Sequence, residues 1–254
     1  YFETLPNHQL ETALWLEADR MGFLLNAVTK EKFETQRSTV KNEKDQRYST
    51  SYGMVGEVKD QLLYPEGHSY SWPTIGYVDD LDAATMDDLK NFFMKWYGPN
   101  NAILVVTGDV NTAEVLKMTE KYFGPISKGP AVYKQVPRRV ILPDNKFRTV
   151  TDDVFLPLTY MVIPTVPRLH KDEAALDLLS SLMAEGKNSI FYKKLVKTDH
   201  ALQASVNHPT FELSGEFSFQ VVTYPGTSLK ETRELIQQTI LDFETEGFTD
   251  EDLK

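Results

Sequence analysis

The chain has no cysteine. That excludes a disulfide framework, a thiolate zinc site and a thiol nucleophile, and leaves the compartment open. Positive charge is scarce as well: 27 Lys and Arg stand against 37 Asp and Glu, a formal net charge of −10. A nucleic-acid binder needs a basic field to neutralise phosphates, and no run of Lys and Arg supplies one. Long apolar runs are missing. AILVV, residues 102–106, is far short of the roughly 20 residues that cross a bilayer. The strings Gly-x-Ser-x-Gly, Gly-x-Gly-x-x-Gly and the phosphate-binding loop do not occur. Five histidines are present, none four residues from another, so no helix offers two imidazoles on one face for zinc.

What is there reads as an alternation of strands and amphipathic helices. Residues 1–5 predict a strand that ends at Pro6-Asn7. A helix follows, with Leu10, Ala13, Leu14, Ala18, Met21 and Leu25 at helical spacing. Thr29 is a good N-cap for the next helix, which runs to about Arg47. Further helices are predicted in 52–65, in 85–98 with Thr85 as cap and Gly98 as stop, and in 111–124; AILVVTGDV between the last two predicts a buried strand. HSYSWPTIG, from His68, is a loop. The segment 127–146 carries three prolines and reads as an interdomain linker. Beyond it, strands are predicted at 147–153 and 158–164, helices at 171–185 and around 189–196, two antiparallel strands, and a last helix from Leu229.

The two halves resemble each other. FETLPNHQLETALWL leaves a strand, turns at Pro6 and resumes as a helix at Leu10; QVVTYPGTSLKETREL does the same at Pro225 and Leu229. Both pairs are offset by 219 residues (225 − 6 and 229 − 10). Downstream, Thr29, Glu31 and Phe33 match Thr249, Glu251 and Leu253 at an offset of 220 (249 − 29). This pattern predicts a tandem duplication. The fold class it implies is α+β, with two homologous domains, each a mainly antiparallel sheet with helices packed on one face. The boundaries read as 1–128, a linker at 129–146, and 147–254. By the same offset the first copy lacks roughly 70 residues at its start, and the opening in mid-strand at Tyr1 likewise predicts a piece of a longer chain.

One helix poses a chemical question. Phe33, Gln36, Val40, Glu43 and Arg47 step by three and four, so they read as one stripe. Glu43 then falls where a surface helix usually buries Leu, and a buried carboxylate must be paired or bind a metal. Arg47, at i+4, and a cation are the candidate partners.

In order and spacing, several stretches resemble the pitrilysin/insulinase family of zinc metallopeptidases, the inverzincins, and its bacterial zinc protease members. They are YFETLPNHQLETALWLEADRMGFL, FETQRSTVKNEKDQRY, HSYSWPTIG, FFMKWYGPNNAILVVTGDV and LDLLSSLMAEGKNSIFYKKLV. The resemblance spans essentially the whole chain. It implies a zinc-dependent endopeptidase acting on peptides or unfolded proteins within a clamshell of homologous domains of the same chain. Two His of a His-x-x-Glu-His helix hold the zinc and the Glu between them activates water. The third ligand is a distant Glu in a helix ending Val-x-x-Glu, which Val40-Lys41-Asn42-Glu43 matches, so Glu43 is the implied zinc ligand. A second family Glu, seven residues earlier, is replaced by Gln36. His-x-x-Glu-His is absent, which implies that this piece by itself is inactive. KDEAALDLLSSLMAEG, the expected site in the second copy, has no His. The family's Arg and Tyr, seven apart in a later domain, fall at Val196 and Gln203, as in a non-catalytic copy. Exported relatives imply the bacterial periplasm or cell envelope, with the cytoplasm as the other option. A non-catalytic homologue, serving as structural or peptide-binding subunit, is the competing reading, and an unrelated α+β binding protein a third.

Overall fold

The computed structural model describes residues 1–249. Glu251 and Leu253, which carry part of the predicted repeat, lie outside them. Eight α-helices are described, with a three-stranded sheet. By internal contacts the chain forms two compact units: Tyr1–Asp45 with Ile75–Lys134, and Gln46–Thr74 with the chain from Gln135 on.

The first unit is helical. The predicted apolar face of α1 (Leu10–Ala27) is turned inward, with Leu14 and Ala18 buried. α2 (Lys30–Tyr48) starts where Thr29 Oγ1 accepts the Lys32 N–H at 3.2 Å. A short α4 (Val78–Ala83), which the sequence reading did not separate from the loop, precedes α5 (Met86–Trp96). Thr85 caps α5 in a two-way exchange with Asp88, which satisfies N–H groups that a helix start leaves open. α6 (Thr112–Phe123) packs along α1, where Glu11 accepts hydrogen bonds from Lys121 Nζ and the Tyr122 hydroxyl, both at 2.8 Å.

Two expectations for this unit fail. AILVVTGDV is not a buried strand: residues 102–106 pair with no strand among the described residues, and Ile103 is 92% and Val105 74% exposed. Residues 1–5 likewise pair with no strand among the described residues. A strand is stabilised by its ladder and by the face it covers, and neither segment has a described partner. In the second unit 147–153 is not a strand either.

The second unit carries the sheet. β1 (Leu158–Thr165), β2 (Gln203–Asn207) and β3 (Gly215–Val222) are antiparallel in the order β1-β3-β2. Pro164 sits in β1, tolerable because an edge strand need not donate on its free side. On one face Phe217, Phe219, Val221 and Val206 form an apolar core with Met183 of α7 (Glu173–Ala184), Phe191 and Leu195 around a π-helical turn (Tyr192–Val196), and Ile236 of α8 (Leu229–Glu246). The even-numbered residues of β3, Glu216, Ser218 and Gln220, point to the other face, where α3 (Val55–Leu63) packs against β1. At the end of the sheet, Gly215 is required by close approach: a Cβ there would lie 2.2 Å from the Val166 carbonyl oxygen. Backbone must shift to admit it, so Gly215→Ala is expected to cost about 2–3 kcal/mol in urea unfolding; an unchanged midpoint would contradict this packing.

Candidate functional site

Glu43 is exposed near the end of α2, and the stripe read from sequence needs correction. Phe33 and Val40 are half-buried as expected, but Gln36, Glu43 and Arg47 are exposed. The rest of the inward face is Arg37, Lys41 and Lys44. Arg37 donates to the carbonyls of Asp82 (2.8 Å) and Ala84 (2.6 Å), Lys41 pairs with Asp82 at 2.9 Å, and Lys44 donates to the Gly76 carbonyl at 2.8 Å. Their aliphatic stems cover what apolar residues usually cover, while the charged ends reach acceptors. Glu43 lies about 120° round the helix from Arg37. The i+4 pair with Arg47 is not formed. Among the described residues no group of three or more His, Asp or Glu could hold a metal ion, so the donors present do not by themselves amount to a zinc site.

A second constellation, not read from the sequence, lies on the sheet face beneath α3. Glu216 is 2% exposed. Lys59 Nζ donates to both of its carboxylate oxygens at 2.6 Å and also contacts Asp60 at 2.8 Å; the Tyr64 hydroxyl donates to Glu216 Oε1 at 2.9 Å. Burial opposes the charge on Lys59, yet its bonds to Asp60 and Glu216 hold its pKa above the ordinary value. Burial, with the Glu216 charge beside it, pushes the Tyr64 hydroxyl well up. Burial also raises Asp60, against the bond from Lys59. Such a buried charge is tolerable only because its oxygens are satisfied. No local pattern marks it, since Lys59 and Glu216 are 157 residues apart.

Beside this cluster the open sheet face floors a cleft of about 460 Å³, with Tyr160, Gln203, Ser205 and Gln220 below and Tyr52 and Lys59 on its wall. Gln203 therefore borders a concave surface of mixed character, to which Val55, Leu158 and Val222 also contribute, whereas Val196 is half-buried in the π-helical turn.

The histidines have structural surroundings. His208 is enclosed: Nδ1 is 2.7 Å from Asp177 Oδ1 and Nε2 3.0 Å from Thr165 Oγ1. It ties α7 to β1 and leaves no path for a substrate to its ring. His68 stacks on Tyr64 with centroids 4.7 Å apart, and its Nδ1 accepts the Tyr70 N–H at 3.1 Å; burial lowers its pKa. His8 and His200 are exposed, and half-buried His170 accepts the Asp172 N–H on Nδ1 at 3.2 Å.

Comparison with known proteins places this geometry. The family described as Peptidase M16 inactive domain matches residues 83–254. The zinc protease PqqE of Helicobacter pylori is 28% identical over 250 residues, covering 95% of this chain and 54% of its own. The crystal structure of the peptidase M16 inactive domain from Pseudomonas fluorescens superposes with a TM-score of 0.84 at 17% identity, over 97% of this chain and 59% of that one. The periplasmic protease PqqL of Escherichia coli gives a TM-score of 0.70 at 16% identity, over 99% of this chain and 28% of that one. The chain thus spans about half the length of PqqE and less of PqqL. Among the described residues no helix is long and apolar enough to cross a membrane. The match covers more than half the sequence, and the chain belongs to the peptidase M16 family, in the part described as its inactive domain.

Proposed function

We propose that this chain is part of a zinc metalloendopeptidase that hydrolyses peptides or unfolded proteins, in which Glu43 supplies the third zinc ligand and the His-x-x-Glu-His helix comes from sequence outside these residues. The observation that carries the reading is the state of Glu43. It stands exposed on a helix pinned along its other side by Arg37, Lys41 and Lys44, and it ends the Val40-x-x-Glu43 signature. A carboxylate exposed on a firmly held helix can be offered to a site shared with another segment. The zinc protease name of the similar PqqE supports the same reading.

Two domains of one ancestry, 1–128 and 147–254 joined at 129–146, form part of this proposal. α1 and α8 are both 18 residues long, and their ends correspond at the repeat offset of 219 (229 − 10 and 246 − 27). The second domain is the non-catalytic copy, and further homologous domains complete the enclosure. The substrate peptide pairs its main chain with a sheet edge, a mode tolerant of sequence. We place the protein in the bacterial periplasm or cell envelope, a reading supported by its likeness to the periplasmic protease PqqL.

Cleavage of denatured casein tests this. The longer parent is expected to release fragments and to stop when chelated, and the 254-residue chain alone to release none, because one carboxylate is not a catalytic zinc site. An intact parent that neither holds zinc nor cleaves would favour the second reading, a non-catalytic structural or peptide-binding subunit.

A further inference from the structure

α3 carries a glycine that its packing does not require. Gly56 stands exposed in the first turn, and a Cβ added there would meet no atom within 4 Å. Alanine would serve the helix better, because glycine loses more freedom on folding. Gly56 lies on the wall of the cleft of about 460 Å³, so the space a side chain would take is space in the cleft. Glycine at such a place lets a ligand come close to the backbone.

A second feature of the wall is unfavourable by itself. Tyr52 has a φ of 62°, a left-handed conformation that disfavours a bulky residue. It is held there from both ends. Asp152 Oδ2 accepts its N–H at 3.1 Å, and its hydroxyl donates to the Leu156 carbonyl at 2.6 Å. Strain fixed by its surroundings gathers at ligand sites, and here it sets a tyrosine against the cleft.

The floor is neutral and its polar groups are unsatisfied. In one rung of the sheet Gln220 of β3 lies between Tyr160 of β1 and Ser205 of β2; in the next, Val222 lies between Leu158 and Gln203. The side chains of Tyr160, Gln203, Ser205 and Gln220 make no hydrogen bond to the protein among the described residues. These amides and hydroxyls can both donate and accept, and they spread across three strands, about 10 Å. The charged residue of the lining, Lys59, is taken up by Glu216 and Asp60.

We propose that this cleft binds a neutral saccharide. The sugar hydroxyls meet the amides of Gln203 and Gln220 and the hydroxyls of Ser205 and Tyr160, each able to answer a donor or an acceptor. The C–H faces of the ring rest on Leu158, Val222 and the Tyr52 side chain, and the open side of Gly56 gives them room. A peptide main chain is a poorer match. Its donors and acceptors run along one line and pair at a sheet edge, whereas these groups form a two-dimensional array on a sheet face. A charged ligand finds no free partner in the lining. The site uses neither Glu43 nor zinc, so it stands or falls separately from the peptidase reading.

Titration of the full 254-residue chain with glucose, galactose, mannose and cellobiose, followed by heteronuclear NMR, tests this. At least one of these sugars is expected to saturate in the millimolar range, since a small ligand has few atoms to contribute, and to shift resonances at Tyr160, Ser205 and Gln220. Gly56→Ala should weaken that sugar at least about tenfold by occupying its space. The same variant should unfold at an unchanged or higher urea midpoint, so damage to the fold cannot imitate the loss. Gln220→Leu should weaken the sugar about fivefold, as the loss of one hydrogen-bonding group does. Gluconate and N-acetyl-triglycine amide are the charged and peptide comparators, and both should bind at least about tenfold more weakly. Saturation by the peptide in place of the sugars would make the cleft a peptide site and overturn the proposal. So would the failure of every sugar to saturate, gluconate binding as well as the best sugar, or unaltered affinity in Gly56→Ala.

Discussion

Lys59→Met is expected to lower the stability of the second unit by about 3–5 kcal/mol, read as a shifted urea midpoint, because it leaves the Glu216 carboxylate buried with one charged partner removed. Lys59 reaches both Glu216 oxygens at 2.6 Å, and Tyr64 donates to one of them at 2.9 Å. Removing the lysine leaves a desolvated charge; removing both charges does not. The double variant Lys59→Met with Glu216→Leu should therefore recover most of the loss, and the cycle of single and double variants should show strong coupling. Additive losses would mean that the pair is not held as described. A pH titration gives an independent readout. Lys59 has a folded pKa raised above 10.5 and Tyr64 one raised above 10.0. A raised pKa contributes stability that is whole below the unfolded value and lost as the pH climbs through the folded one. Stability should thus hold up to about pH 10 and fall above it, with a shallower fall in Lys59→Met.

The second large effect concerns chemistry. In the parent protein Glu43→Gln is expected to weaken zinc binding by more than the 10–100-fold that loss of an outer-shell partner causes, and to reduce peptide hydrolysis by at least as much. The amide keeps the shape of the side chain and loses its charge. Because Glu43 is exposed and α2 is held by Arg37, Lys41 and Lys44, the variant should unfold at the wild-type urea midpoint. Lost activity with a lowered midpoint would indicate damage to the fold instead.

How much was legible differs from element to element. Helix starts were readable where a side chain caps them, as at Thr29 and Thr85, because capping is local chemistry. β1, β2 and β3 were recognised from their β-rich composition. AILVV was misread because its apolar residues predict a strand wherever they sit, while strand formation depends on a neighbour that composition cannot name. The inward face of α2 was misplaced for a related reason. Only Phe33 and Val40 mark it as apolar, and a stripe completed by Arg37, Lys41 and Lys44 looks solvated until their acceptors at Gly76, Asp82 and Ala84 are known. The proposal for Glu43 rests on its place after Val40 in a family signature, and not on the burial inferred from the stripe, since the residue is exposed. The Lys59–Glu216 pair had no sequence signal, since each residue looks like an ordinary charge in its own segment.

The most direct test is a crystal structure of the zinc-loaded parent, with anomalous scattering at the zinc edge. The expected result is one zinc ion with a Glu43 carboxylate oxygen at about 2.0–2.2 Å and two imidazole nitrogens completing the protein ligands. A zinc ion bound elsewhere, with Glu43 still exposed to solvent, would contradict the assignment of this helix to the metal centre.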